Sequence, residues 1–326
     1  MRIANPIYDV VFKYLLDDEK VARTMLSALL GKEVLELGFR PTEVRQPVET
    51  PDGSEWLVLR MDFSATVRLE DGSLKLVLIE IQKANNAWDV QRFRRYLGCN
   101  YCNPENVYVD NEGRQQALPL LTIYFLGEGL EGIDVPVLKV NRHYLDVATG
   151  GEVHITDPFV EALTHDSIVV QINRLKNRRR TDLEQLLAVF DQGQAFQSDP
   201  HLLDILEENF PERYRDVLRR LLRAGAEKDI RDGMDVEDDV VAAFQEQVRQ
   251  AAQALEEQAR QATQALEEQA RQATQALEEQ ARQVAQALGE KDRVIEAKDK
   301  ALEDKGKALE QKDQIIADLK RQLGHL

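Results

Sequence analysis

The sequence predicts an α/β protein with a long C-terminal helix, and three observations support this fold class. Residues 56–82 form two apolar runs separated by Asp71-Gly72, which is a strong signal of a β-hairpin. Residues 118–126 are a further short apolar run, of the length expected for a buried strand. From about residue 236 the chain changes to an 11-residue repeat, QALEEQARQAT. We therefore expect a mixed central sheet flanked by helices, followed by a long helix.

The segment before the hairpin is expected to begin with a helix. Apolar residues recur at helical spacing over residues 7–31, and Gly31 ends the pattern. Asp9 and Lys13 lie one helical turn apart, so a surface ion pair is one interpretation of these two charges. Residues 34–48 are expected to form an irregular strand.

Two carboxylates interrupt the apolar hairpin. Asp62 lies in its first strand and Glu80 lies at the end of its second. A charge inside a buried strand costs free energy unless it is paired or binds a metal. On adjacent antiparallel strands these carboxylates can converge on one divalent cation, with Gln82 one side-chain period beyond Glu80 on the same face.

Four sequence blocks in this order resemble the PD-(D/E)xK nuclease superfamily. They are NPIYDVVFKYLL, IEIQ, DVQRFRRYLGCNY and LPLLTIYFLG, and the resemblance covers roughly residues 3–225. The chain looks most like the branch of nuclease-family transposases, or recombination-promoting nucleases. In that branch Gln often stands where the superfamily motif has Lys, as Gln82 does here.

The resemblance implies a restriction-endonuclease-like sheet and metal-dependent hydrolysis of DNA phosphodiester bonds. Asp62, Glu80 and the backbone carbonyl of Ile81 would hold Mg²⁺ or Mn²⁺. The metal would activate a bound water and stabilise charge on the phosphate. Gln82 can orient that water, but it carries no charge.

The same resemblance names three auxiliary residues. Asp9, on the first helix, would assist the metal. Residues 88–101 are expected to form a helix after the hairpin, and Arg92 and Tyr96 are its positions that match the family's active side. For Arg92, contact with a phosphate and a salt bridge to a nearby acid are both open.

We expect three regions along the chain. Residues 1–160 would form the nuclease-like core and residues 161–235 a helical lobe, with helices at about 181–191, 199–208 and 211–224. Residues 236–326 would form the long helix. Its repeat aligns Leu255, Leu266, Leu277 and Leu288, and an 11-residue period favours a nearly straight coiled coil. Self-association into a homo-oligomer through this helix is expected, with a single solvated helix as the alternative.

The charge of the chain opposes simple nucleic-acid binding. The net charge is −16, whereas binding of DNA depends largely on neutralising phosphates. Basic clusters remain at residues 92–95 and 176–180. Two other functions therefore stay open: a degenerate nuclease fold that serves as a binding module, and a scaffold in which the coiled coil does the work.

The remaining features place few further limits on function. Cys99 and Cys102 form a single C-x-x-C, for which two small helix residues and a metal or redox pair are both open interpretations. No apolar run approaches the length of a membrane span, so a cytoplasmic protein without a membrane partner is expected.

Overall fold

A computed structural model describes residues 1–50, 53–83, 87–155 and 157–323, with side chains left out for residues 44–50, 53–59, 87–89 and 322–323. The strands are β1 (Arg2–Ala4), β2 (Val34–Phe39), β3 (Glu43–Thr50), β4 (Gly53–Arg60), β5 (Phe63–Leu69), β6 (Leu74–Gln82), β7 (Val107–Val109), β8 (Gln115–Ala117), β9 (Leu120–Leu126), β10 (Val137–Val140), β11 (Asp166–Gln171), β12 (Ala195–Phe196) and β13 (Asp199–Asp204). The helices are α1 (Asp9–Leu16), α2 (Glu19–Leu30), α3 (Ala87–Cys102), α4 (Pro158–Leu163), α5 (Asp182–Leu187), α6 (Arg215–Ala226) and α7 (Lys228–Leu323).

The central feature is a six-stranded mixed sheet in the order β10-β11-β9-β6-β5-β2. The strands β2, β5 and β6 are antiparallel neighbours, while β6, β9 and β11 run parallel to one another. The mixed sheet and the long C-terminal helix confirm the predicted α/β class at this level.

The central sheet separates two apolar cores, because side chains alternate between its faces. The first core contains Val77 and Ile79 of β6 together with residues of α1, α2 and α6. The second core contains Leu76 and Leu78 of β6 together with Phe93 of α3. The sheet is therefore covered by helices on both faces.

Local signals explain where several elements begin and end. The Asp18 side chain accepts a hydrogen bond from the Val21 amide and caps α2. Gly31 ends α2 with φ of 68°, in the left-handed region that glycine adopts at little cost. Gly72 has φ of 81° between β5 and β6, which confirms the predicted hairpin.

Two predicted elements are each divided in the structure. The helix predicted over residues 7–31 is the pair α1 and α2. The first strand of the predicted hairpin is interrupted at Met61 and Asp62, so that β4 pairs with β3 in a separate two-stranded sheet and β5 enters the central sheet. The side chains of Trp56 and Trp88, at the starts of the predicted strand and helix, lie outside the described part of the chain.

Residues 161–235 combine helices with strands, so the prediction of a helical lobe is only partly right. The prediction of a helix over residues 199–208 is wrong, because residues 199–204 form β13. This strand pairs with β1, placing Leu203 opposite Ile3, and both side chains are fully buried. Pairing with a distant strand outweighs the helical spacing of the local sequence.

The chain divides into two compact units, Met1–Ala242 and Ala243–Leu326. The first turns of α7 belong to the first unit, where Ile230 and Met234 are buried in the first core. In the second unit, the repeated leucines are about two-thirds exposed, as shown by Leu255 at 68% and Leu277 at 67%. Among the described residues, the helices lack the combination of length and apolar content that crossing a bilayer requires.

A substitution at Gly127 tests the tight junction between the ends of β6 and β9. The Gly127 amide donates to the Gln82 carbonyl over 2.7 Å, and a Cβ on Gly127 would collide with the Lys83 carbonyl. We expect Gly127→Ala to lower the free energy of unfolding by about 1–3 kcal/mol in urea denaturation. Gly98→Ala is the control because its Cβ would meet no atom within 4 Å. Equal stability of the two variants would contradict the assigned junction.

Candidate functional site

Glu80 and Gln82 lie at the end of β6, on the face of the central sheet that α3 covers. They continue the side-chain period of Leu76 and Leu78, which belong to the second core. Glu80 is only 1% exposed and Gln82 only 6%. The alternation of the strand therefore carries two polar side chains into a buried position beyond an apolar core.

Asp62 lies beside Glu80 because of the break between β4 and β5. Phe63 pairs with Ile79, and continuing this antiparallel register by one residue places Asp62 opposite Glu80. The Asp62 Oδ2 atom accepts a hydrogen bond from the Ile81 amide at 2.6 Å. The Asp62 side chain thus takes the place of a strand partner and is fixed against β6. A role for the Ile81 carbonyl stays a prediction.

Helix α1 contributes two charges to the same place. The Lys13 Nζ atom lies 2.6 Å from Asp9 Oδ2 and 3.4 Å from Asp62 Oδ1. The Asp9–Lys13 ion pair considered from the sequence therefore extends to Asp62, a carboxylate of the site. Lys13 is the residue that sequence reasoning missed, because its spacing from Asp9 already accounted for its charge. The one sequence signal that a cation from elsewhere was needed was the uncharged Gln82, at the position where the superfamily motif has Lys.

Helix α3 supplies one residue to the site and another to the core. The Arg92 guanidinium forms an ion pair with Glu80 Oε1, which is the salt-bridge alternative for this residue. Tyr96 is 1% exposed and packs in the second core. Its hydroxyl donates to the Pro41 carbonyl at 3.4 Å.

Three buried polar atoms of these residues lack a hydrogen-bond partner in the described part of the chain. They are Asp9 Oδ1, Glu80 Oε2 and Gln82 Nε2. A buried hydrogen-bond donor or acceptor without a partner costs roughly 1–3 kcal/mol. Such atoms are therefore expected where a bound ligand supplies the missing partner. At this site, a ligand would meet two carboxylate oxygens that can accept hydrogen bonds and one side-chain amide that can donate one.

Burial and mutual repulsion disturb the ionisation of both central acids. Burial, the charge of Glu80 and the neighbouring Asp9 raise the pKa of Asp62 well above its usual value. Burial raises the pKa of Glu80 to about 7, although Arg92 acts in the opposite direction. For Lys13, burial acts to lower the pKa, but Asp9 and Asp62 outweigh it and the pKa is raised. The site therefore favours additional positive charge.

The donor set fits a hard divalent cation in its chemistry. Carboxylate oxygens are the ligands that Mg²⁺ and Mn²⁺ prefer, and Glu80 Oε2 has an unused lone pair. Within the described ranges, no group of three or more His, Cys, Asp or Glu side chains is already arranged as a metal site. Lys13 and Arg92 instead hold the two acids in the arrangement seen here.

An open cleft of about 440 Å³ adjoins the site on one side, where Asp62, Lys13 and Arg40 line it but Glu80 and Gln82 do not. A larger cleft of about 1080 Å³ lies between α2 and α5. It contains none of the predicted site residues, whereas the smaller cleft contains Asp62.

Two of the four basic side chains at residues 176–180 form ion pairs with nearby acids. Arg179 lies 3.2 Å from Asp191, and Arg180 lies 2.6 Å from Glu184. Asp191 and Glu184 are themselves buried. These ion pairs favour a structural role for the two arginines over a nucleic-acid patch.

Comparison of the chain with protein-family models, with curated proteins and with solved structures gave no match. The resemblance to PD-(D/E)xK nucleases therefore stays a prediction, and the residues of the site carry the functional argument.

The raised pKa of Glu80 predicts how stability changes with pH when metal is absent. A carboxyl group with a raised folded-state pKa stabilises the fold below its ordinary pKa, near 4.5, and this contribution is lost as pH rises through about 7. Stability in urea and EDTA should fall from about pH 5 to about pH 8, and Glu80→Gln should reduce that fall by more than about 1 kcal/mol. The exposed Glu131→Gln is the control. An equal fall in both variants would contradict the predicted ionisation.

Proposed function

We propose that this chain is a divalent-metal-dependent DNA endonuclease with a restriction-endonuclease-like core, and that it serves recombination or transposition. The observation that carries the proposal is the buried Glu80 opposite Asp62, with Glu80 Oε2 lacking a partner among the described residues. Two adjacent acids with raised pKa values are a costly arrangement that a cation would stabilise.

Asp62 and Glu80 would hold Mg²⁺ or Mn²⁺, with the Ile81 carbonyl as a further ligand. When bound, the metal supplies Lewis-acid chemistry: it lowers the pKa of a bound water and offsets charge on the phosphate. The Ile81 amide keeps Asp62 oriented towards β6, because its hydrogen bond fixes one carboxylate oxygen. The site is thereby preorganised by the backbone of the central sheet.

The surrounding side chains would orient and stabilise the scissile phosphate. Gln82 Nε2 can donate to the attacking water or to a phosphate oxygen. Lys13 brings the positive charge that Gln82 lacks next to Asp62, where it can stabilise the negative charge that grows on the phosphate. Arg92 positions Glu80 through their ion pair.

A non-catalytic binding module is the second candidate function. The observation that favours it is that both acids already have a cationic partner: Lys13 pairs with Asp62, and Arg92 pairs with Glu80. In that case the charges would serve the fold, and no metal would be required. A scaffold formed by α7 is a further outcome, which the experiments below separate from the enzyme.

Plasmid cleavage in Mg²⁺, Mn²⁺ or EDTA tests the proposed nuclease. We expect metal-dependent nicking by the wild-type chain, lost in Asp62→Asn and in Glu80→Gln because each removes a ligand charge. Lys13→Met should lower the rate by roughly tenfold or more, since it removes a stabilising charge at the phosphate.

Lys32→Met is the matched control, because this exposed lysine pairs with Asp71 away from the site. Cleavage that survives in Asp62→Asn would assign the activity to a contaminant or to another site. Absence of cleavage by folded wild-type chain with either metal would favour the binding module.

We also propose that the second unit of α7 forms a parallel or antiparallel homo-oligomer. Its repeat exposes Leu266 at 66% and Leu277 at 67%, and the alanines between them complete an apolar seam along one helix face. A second copy of the same repeat offers a self-complementary surface for this seam.

Light scattering of the full chain measures this association. Leu266→Glu/Leu277→Glu should shift the molar mass to that of a monomer, because charges would enter the apolar seam. Gln264→Glu/Gln275→Glu adds the same charge on the opposite face of the helix and should leave the mass unchanged. A monomeric wild-type chain would leave the single solvated helix as the correct alternative.

A further inference from the structure

The N-terminus of α1 holds a carboxylate from α7. The Glu237 side chain accepts from the Asp9 amide at 3.0 Å and from the Val10 amide at 2.8 Å. Tyr8, at the N-cap, makes no side-chain capping bond of its own. Glu237 thus takes two of the amide donors at a helix terminus, which favours anions through its unpaired amides and its dipole.

The next residue of α7 fills a second group of donors. Asp238 accepts from the Lys83 ammonium at 2.7 Å and from the Tyr8 hydroxyl at 3.0 Å. His201 Nε2 lies 2.9 Å from the same carboxylate. The Lys83 ammonium also lies 3.8 Å from the Tyr8 ring centroid, which restricts where its charge can go.

These donors favour a negative charge at the Asp238 position. Burial acts to raise the pKa of Asp238, but hydrogen bonds from Lys83, His201 and Tyr8 outweigh it and lower the pKa. The donors come from α1, the end of β6 and β13, which the fold brings together from distant parts of the chain. Such a combination of a cation, a hydroxyl and backbone amides is typical of phosphate-binding sites.

The anion-binding group lies next to the candidate catalytic residues. Asp9 belongs to both, because its amide binds Glu237 while its carboxylate binds Lys13. Lys83 directly follows Gln82 in the chain. A phosphate held by these donors would therefore lie along the same edge of the sheet as the proposed scissile phosphate.

Packing keeps the two α7 carboxylates in place. Met234 is fully buried in the first core, one turn before Asp238. Gly233 lies so close to Val10 that a Cβ on it would come within 3.0 Å of the Val10 side chain. The start of α7 is thus fixed against α1, and its acids compete with any other anion for the same donors.

We propose that the α1 N-terminus, Lys83, Tyr8 and His201 form a subsite for a backbone phosphate of DNA, which Glu237 and Asp238 occupy as internal competitors. The inference rests on the proposed nuclease function for the identity of its ligand. It deepens that function by assigning regulation of substrate binding to the first turns of α7.

Binding of a fluorescent DNA duplex by the full chain in EDTA tests this subsite without requiring cleavage. Glu237→Ala/Asp238→Ala should tighten binding by roughly tenfold, with a steeper dependence on salt, because donors become available to phosphate. Asp238→Ala alone should give part of the gain while Glu237 still caps α1. Adding Lys83→Met to the double variant should remove most of the gain.

Glu256→Ala/Glu257→Ala is the matched control, because it removes two adjacent exposed acids from the repeat of the same helix. Unchanged or weaker binding by folded Asp238→Ala, relative to this control, would overturn the subsite and leave Glu237 and Asp238 as structural caps. An equal gain in the control would assign the effect to net charge and would also overturn it.

The cleavage assay keeps the two proposals separate. Tighter binding by the variants together with no cleavage by wild type would retain the subsite and reject the nuclease. Cleavage by wild type without any gain in binding would retain the nuclease and reject the subsite.

Discussion

The burial of Glu80 is the constraint on which the architecture of this site depends. An isolated carboxylate in a protein interior is expensive, so the fold must supply compensating charge or the group must take up a proton. The structure supplies compensating charge, because Arg92 reaches Glu80 from α3, and burial still raises the pKa of Glu80. Helix α3 is thereby tied to one side chain of β6.

The break between β4 and β5 gives the site its second acid. If β4 and β5 were one continuous strand, backbone pairing with β6 would engage the Ile81 amide. At the break this amide instead receives the carboxylate of Asp62. At the interruption, a side-chain carboxylate replaces a backbone carbonyl as the acceptor for an amide of the sheet. The interruption also separates the β3-β4 hairpin from the central sheet. A local irregularity thus creates the pairing of Asp62 with Glu80.

The connection between β5 and β6 has three residues, Glu70 to Gly72, because the Leu69 amide donates to the Ser73 carbonyl, and this register places Asp62 opposite Glu80. The sequence was sufficient to predict that the two acids lie on adjacent antiparallel strands, because Asp71-Gly72 signals a hairpin. It was insufficient for Lys13, whose spacing from Asp9 already had a local explanation. The helix predicted over residues 199–208 failed for a related reason, since pairing with β1 is decided by residues near the other end of the first unit. Local patterns report local partners, and contacts such as Glu237 with Asp9 become visible only once the chain is folded.

In the first unit, two of the acidic side chains that contribute to the net charge bind specific hydrogen-bond donors. A diffuse negative charge acts at long range and is screened by salt, whereas Glu237 and Asp238 contact defined donors at hydrogen-bond distances. In the proposed subsite, exchange of a carboxylate for a phosphate on the same donors would conserve much of the local electrostatic energy, so the cost of phosphate binding would lie mainly in displacing the start of α7. Because Met234 anchors that segment in the first core, a single weak phosphate contact would not displace it. In the proposed subsite, a polyanion that contacts several donors at once would compete more effectively than a free anion, and the acidic segment would then select for extended nucleic acid.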